Sequence, residues 1–185
     1  MALWYAGLLN HYERKPAEVE RFASDVIELS TLEHFGNWLP GASILRGWAR
    51  SASGSPVEGI RWIEDGLRDY RAIGGMIGLP FWLVVKAEAL YLGDRTSEAL
   101  EAIKQSEALA ERSAERWWCA ELHRFRAVFL KAIGADETQI EASFCQAIRT
   151  AKQQKSTSLA MRAESSYAEY RGRKGRDQNL LGCSG

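Results

Sequence analysis

The sequence predicts an all-α chain built as a solenoid of antiparallel helix hairpins. Three observations lead there. Helical periodicity of the apolar residues runs through nearly all 185 positions, and no alternating strand pattern stands between turn signals. Helix-stopping residues punctuate that pattern, as in Gly54-Ser55-Pro56, Gly93-Asp94 and Gly134-Ala135-Asp136. Small and acidic residues recur at steps of 40, with Gly7, Gly47 and Ala87 in one series and Glu18, Glu58 and Glu98 in another. A period of this size marks helical repeats, whose hairpins bury their apolar faces only by stacking on neighbours.

Nine helices are expected, at about 2–14, 16–32, 37–53, 55–73, 78–92, 95–113, 115–133, 136–155 and 157–174. The first holds the apolar "MALWYAGLL", which lacks a basic leading region and a cleavage site and is shorter than the roughly 20 residues that span a bilayer. It is read as the helix that starts the fold. Helix 16–32 carries Glu18, the small-residue position Val19 and Ala23. Helix 37–53 has a core stripe of Trp38, Ala42, Leu45, Ala49 and Ala52. Gly54, Ser55 and Pro56 stop one helix and open the next, 55–73, which repeats the acidic, small and apolar positions as Glu58, Gly59 and Ile63. The joint "AIGGMIGLP" precedes 78–92 and is no phosphate loop, since the Lys and Ser/Thr of that motif are missing. Glu98, Ala99 and Ile103 continue the series in 95–113, and Glu141 and Ala142, a step of 43 on, place it in 136–155. Between them, Trp118, Leu122, Phe125 and Phe129 share one stripe of 115–133. Leu159, Ala163, Tyr167 and Tyr170 share one face of 157–174. The organisation expected is one repeat domain over 1–176, with repeats at about 1–35, 36–75, 76–114, 115–155 and a partial 156–176, and a flexible tail at 177–185. The partial last repeat leaves an apolar end, which predicts a homodimer, or docking of a partner, through the uncapped C-terminal helix.

Composition narrows the function. Lys+Arg and Asp+Glu both count 24, so the net charge is zero, where duplex binders carry a basic excess. The expectation is therefore no nucleic acid, and equally no membrane. The three cysteines, Cys119, Cys145 and Cys183, form no CxxC pair, which argues against a zinc ribbon or disulfide framework and for a reducing, cytoplasmic setting.

Several stretches together resemble a known family. They are "ILRGWA" at 44–49, "EGI" at 58–60, "GLRDYRAIG" at 66–74, "AEA" at 87–89, "EAL" at 98–100, "ERWWCAELHR" at 115–124 and "SLAMRAESSYAEYRGRKGR" near the end. Over about residues 1–176 the chain is similar to the tetratricopeptide-like C-terminal region of bacterial multidomain signalling proteins. In these a class III nucleotidyl cyclase domain and a predicted signalling ATPase precede the repeats. The strict 34-residue tetratricopeptide pattern is not present. The resemblance implies a right-handed superhelix and a regulatory or scaffolding module without catalysis of its own. No Walker lysine and no cyclase metal-binding aspartates can be assigned, so those activities are not carried over.

Four features are candidates for chemistry. Cys119 and His123 lie one turn apart with Glu121 between them, but two ligands are too few for zinc, which takes about four, or three and water. A nucleophile with its base would also need an oxyanion site and an orienting carboxylate. Packing is the favoured reading, with no metal, no cofactor and no catalytic residue. The seven tryptophans, Trp4, Trp38, Trp48, Trp62, Trp82, Trp117 and Trp118, suit an aromatic cage or, more simply, packing between helices. The basic "RGRKGR" at 171–176 suits acidic lipid or nucleic acid, or a solvated helix end. The polar faces of the first helix in each pair carry Arg46, Arg50, Lys86, Glu88, Glu121 and Arg124. In tetratricopeptide arrays that helix lines the concave surface, where such charges clamp a peptide.

The function expected is a non-catalytic protein-interaction or scaffold module of a bacterial signalling system, taking a protein or peptide on its concave surface. The partner would be another protein or a cyclase or ATPase domain. The alternative is a small-molecule sensor regulating such a domain.

Overall fold

The computed structural model describes residues 2–34 and 36–182, with side chains through Gly172. Among them are nine α-helices and no strand. They are α1 (Ala2–Tyr12), α2 (Pro16–Leu32), α3 (Leu39–Ala52), α4 (Pro56–Ala72), α5 (Leu79–Leu92), α6 (Thr96–Ser113), α7 (Cys119–Ala132), α8 (Glu137–Gln153) and α9 (Thr157–Gly182). The first helices α3, α5 and α7 each have 14 residues and begin 40 apart, at positions 39, 79 and 119. The expected helix at 37–53 is preceded by a 3-10 turn, Gly36–Trp38, and Ala52 at its end is exposed. The one expected at 115–133 starts at Cys119, because Glu115 to Trp118 form the turn that leads into it. The last helix runs to Gly182 and so takes in 177–182 of the expected tail, while 183–185 lie outside the described residues.

The repeat is written into the backbone. Left-handed φ angles close the first helices at Arg14, Gly54, Asp94 and Gly134, each 40 residues after the last. His34, Gly74, Ala114 and Lys155 do the same after the second helices. At each first-helix turn the same pair of bonds forms: in repeat one, Arg14 N donates to His11 O at 3.1 Å and Lys15 N to Asn10 O at 3.0 Å. The equivalents Ser55 to Arg50, Arg95 to Leu90 and Ala135 to Leu130 lie at 2.9–3.0 Å. These are Schellman closures, which satisfy the last carbonyls of a helix and turn the chain back. Glycine takes the left-handed position at little cost, and the non-glycine positions tolerate it within an otherwise fixed turn.

The described chain forms two compact units, Met1–Arg112 with α1 to α6 and Ser113–Gly185 with α7 to α9. In unit 1 the hairpin α3–α4 packs backbone to backbone. A Cβ added at Gly59 would lie 2.3 Å from Gly47 O, and one at Gly66 would lie 2.8 Å from Pro40 O. The small residues of the sequence repeat are thus a steric requirement in the second pair. In the third pair alanine suffices, since Ala87 and Ala99 are fully buried. Helix α5 is apolar on nearly every side and is buried from Leu79 to Leu90 apart from Lys86. Trp4 of α1 closes one end, lying 5.4 Å from Trp38 and 5.9 Å from Trp82.

In unit 2 the stripe Trp118, Leu122, Phe125 and Phe129 is buried as the sequence predicts. The face of α9 taken for an uncapped end packs on α8. Leu159 and Ala163 are buried, and Tyr167 and Tyr170 lie 5.4 and 5.8 Å from Phe144 of α8. That face packs on the preceding hairpin, with both tyrosines half-buried.

Replacing Gly59 with alanine puts a methyl group against backbone that cannot swing away. Urea unfolding followed by circular dichroism is expected to show a loss of about 1–3 kcal/mol. Gly172→Ala, where nothing lies within 4 Å, is expected to be neutral or slightly stabilising.

Candidate functional site

A buried carboxylate organises the first-helix layer of unit 1. Glu88 of α5 is 6% exposed. Its Oε2 accepts from Trp48 Nε1 of α3 at 2.9 Å and from Arg14 Nη1 at 2.8 Å, and its Oε1 accepts from Arg14 Nη2. Burying a carboxylate costs several kcal/mol unless it is paired and hydrogen-bonded, and Arg14 and Trp48 supply both. Arg14 reaches Glu88 from the left-handed turn that ends α1, 74 residues upstream, and its guanidinium also lies 5.4 Å from the Trp48 ring. His11 of α1 is buried edge-to-face on Trp48 at 4.4 Å, beside Phe81 at 5.6 Å. One carboxylate therefore draws α1, α3 and α5 together. Burial also pushes the neighbouring Tyr12 phenol up to about 12.

A second buried carboxylate lies in unit 2. Glu121 of α7 is 1% exposed. It accepts from Arg124 Nε at 2.9 Å and Nη2 at 2.7 Å, and from Arg162 Nη1 of α9 at 3.4 Å. Arg124 Nη1 also donates to Ser166 Oγ of α9 at 3.4 Å. Here too the carboxylate joins one first helix to the next.

Of the six charged residues singled out in the sequence, the four in unit 1 do not share one surface. Arg46 stacks on Trp62 of α4, with its guanidinium 4.4 Å from the ring. Arg50 pairs with Glu20 of α2 at 3.3 Å and Glu58 of α4 at 3.5 Å. Lys86 pairs with Glu64 of α4 at 2.8 Å. These three face the second helices, whereas Glu88 faces first helices. Helical geometry explains the split: Arg46 and Lys86 occupy one register position and Trp48 and Glu88 the position two residues on, roughly 200° round the helix. Arg14 and Arg162 were missed in the sequence. Arg14 lies in a turn, and Arg162 on a helix read only for its apolar face.

Cys119 is the first residue of α7 with His123 one turn on, and no group of three or more His, Cys, Asp or Glu able to hold a metal occurs among the described residues. Of the tryptophans, Trp48, Trp82 and Trp118 are buried, and only Trp117 is largely exposed. Most of "RGRKGR" lies outside the described side chains. No helix among the described residues is long and apolar enough to cross a membrane.

These hairpins, with their period and turns, define a tetratricopeptide-like helical repeat protein. The structure is similar to that of PlcR from Bacillus thuringiensis, with a TM-score of 0.68 at 14% identity, over 89% of this chain and 67% of that one. The PlcR crystal structure is of a complex with the peptide PapR7 and DNA. In sequence the chain is 30% identical over 132 residues to an uncharacterised protein of Rhizobium meliloti. That stretch is 71% of this chain, and the chain spans only 13% of its relative's length. No protein-family model matches the chain. The PlcR complex corrects one expectation. A protein of this fold is held with DNA as well as a peptide, so the exclusion of nucleic acid drawn from zero net charge does not stand. Net charge sums the whole chain, whereas phosphate contact depends on local patches.

Two substitutions separate the roles around Glu88. Arg14→Ala strands a buried carboxylate and is expected to destabilise by about 3–5 kcal/mol in denaturant unfolding. Glu88→Gln keeps an acceptor for Trp48 and is expected to cost less, about 1–3 kcal/mol. Alkaline titration gives a further check. The folded state keeps the Tyr12 proton between its ordinary value of 10.0 and about 12, where the unfolded chain loses it. Stability is therefore expected to fall as pH rises through that window and to be unaffected by Tyr12 below it. In Tyr12→Phe that part of the pH dependence should vanish from urea unfolding curves.

Proposed function

We propose that the chain is a non-catalytic binding module of a regulatory or signalling assembly, taking a peptide or protein partner on its first-helix layer. The observation that carries this reading is the pair of buried glutamates, Glu88 and Glu121. Each locks neighbouring first helices together while leaving an arginine edge at the surface: the side chains of Arg14 and Arg162 are 37% and 28% exposed. Within either unit, first helices held stiff by such a lock and edged with a guanidinium group are a preorganised surface for polar partners. Arg46, Arg50 and Lys86 act instead as links between the first and second helices.

Three further points support the reading. PlcR, a protein of the same fold, is known in complex with a peptide. The relative from Rhizobium meliloti is far longer than this chain, as expected where such repeats serve a multidomain protein. The resemblance to repeats that follow cyclase and ATPase domains points to one of those domains, or a protein acting on them, as the partner.

Site-specific photo-crosslinking in a lysate tests the proposal. A photoreactive residue at Ser166, on the first-helix layer, is expected to capture a discrete partner, and one at Arg61, on α4, is not. Protease and nuclease digestion of the captured species then tell protein from nucleic acid. Capture from Arg61 alone would place the interface on the second helices and refute the proposal.

A further inference from the structure

In unit 1 the turns after α2 and α4, which lead from second to first helices, come together at one edge. Trp38, at the end of the first turn, and Trp82, near the start of α5, lie 5.4 and 5.9 Å from Trp4 of α1. Large apolar side chains stand out along this edge. Leu29 and Leu32 lie in the last turn of α2, and Ile73, Met76 and Ile77 in the joint before α5. Leu32, Met76 and Ile77 are 69%, 63% and 84% exposed. From Ile73 to Val85 no side chain is charged. The joint is held in place by its own backbone. Gly74 N donates to Arg71 O at 3.0 Å, Gly75 N to Tyr70 O at 2.8 Å and Leu79 N to Met76 O at 3.2 Å. The Tyr70 hydroxyl donates to Ile77 O. Gly74 and Gly78 take the left-handed φ angles that the turn needs. Backbone groups bonded in this way cost less to move out of water than free ones.

Exposed apolar patches mark contact surfaces, and three features of this one select the partner. Its side chains project from the surface and offer no groove, so whatever covers them must yield to their shape, as acyl chains do. Behind the tips lie Trp4, Trp38 and Tyr70, all half-buried, with the Tyr70 ring 6.4 Å from that of Trp82. Rings with an apolar body and a polar tip suit the boundary between lipid headgroups and acyl chains. Charged side chains of both signs flank the edge, Glu28, Glu33, Asp65 and Asp69 with Arg68 and Arg71. They form no basic cluster, so a zwitterionic surface fits better than an acidic one. We propose that this edge of unit 1 docks on the surface of a zwitterionic lipid bilayer, with Met76 and Ile77 entering the acyl boundary. Such a contact needs neither a spanning helix nor a basic excess. It does not depend on the first-helix layer as the site of partner binding.

The test uses the whole chain with phosphatidylcholine vesicles as probe. Flotation in a density gradient and quenching of tryptophan emission by brominated acyl chains are the readouts. The chain is expected to float with the vesicles and its emission to be quenched, with little change as salt is raised. Ile77→Asp combined with Met76→Ser should weaken partitioning about tenfold or more. Val57→Asp, at the other end of α4 on a side chain 85% exposed, should partition as the unaltered chain does. Substitutions at positions this exposed leave the core untouched, and circular dichroism checks that each variant is folded. Absence of flotation would overturn the proposal, as would equal partitioning by the Ile77→Asp, Met76→Ser variant. An equal loss in Val57→Asp would show an effect of added charge rather than of place, and would also overturn it. Binding only to vesicles that carry phosphatidylserine, lost at high salt, would refute the apolar edge as its cause. Capture of a protein by a photoreactive residue at Ile77, with no flotation, would give the edge to a protein partner instead of a bilayer.

Discussion

The carboxylate of Glu88 is the contact on which the organisation of unit 1 depends. A charge 6% exposed demands partners, and its partners come from two other places in the chain: the turn after α1 and the middle of α3. Apolar stripes alone would let first helices slide along one another, because hydrophobic contact is non-directional. A carboxylate held by a guanidinium fork and an indole N–H is directional, and it fixes the register of α1, α3 and α5. Unit 2 reaches the same end with Glu121, held by Arg124 on its own helix and by Arg162 on the next.

Around these polar locks the rest is steric. The α3–α4 hairpin closes until backbone touches backbone at Gly47, Gly59 and Gly66, and the left-handed residue at the end of each helix aims the chain back across its partner. The turn position of Arg14 shows how the two kinds of constraint meet. Its equivalents Gly54 and Gly134 are the residues that suit the backbone, and Arg14 holds the same conformation while its side chain spans to Glu88.

The fold was legible because its causes are local and repeated. Period, small residues, acidic positions and stop signals all sit on the chain within reach of one another. The apolar pattern starts two to four residues before the helices at 39 and 119, since Trp38 and Trp117-Trp118 extend it into the preceding turns. The polar layer was legible only in part. Glu88, Glu121 and Arg124 are visible as charges, but that Glu88 pairs with Trp48 follows only from noticing that the two share a register position 40 residues apart. Arg46 and Lys86 drew notice by the same periodicity, yet counting 100° per residue turns them away from Glu88. Arg14 and Arg162 act across 74 and 41 residues, and no local pattern records such contacts. The apolar face of α9 is legible in the sequence, but the Phe144 that receives part of it is not, because that aromatic residue carries no mark of its partner.

Hydrogen–deuterium exchange of the chain with and without its captured partner tests the central claim most directly. Binding on a first-helix layer predicts slower exchange in α3 and α5 of unit 1 or in α7 and α9 of unit 2, with α4 and α8 unchanged. Protection confined to α4 and α8 would contradict it and would place recognition on the second helices, beside Arg46, Arg50 and Lys86.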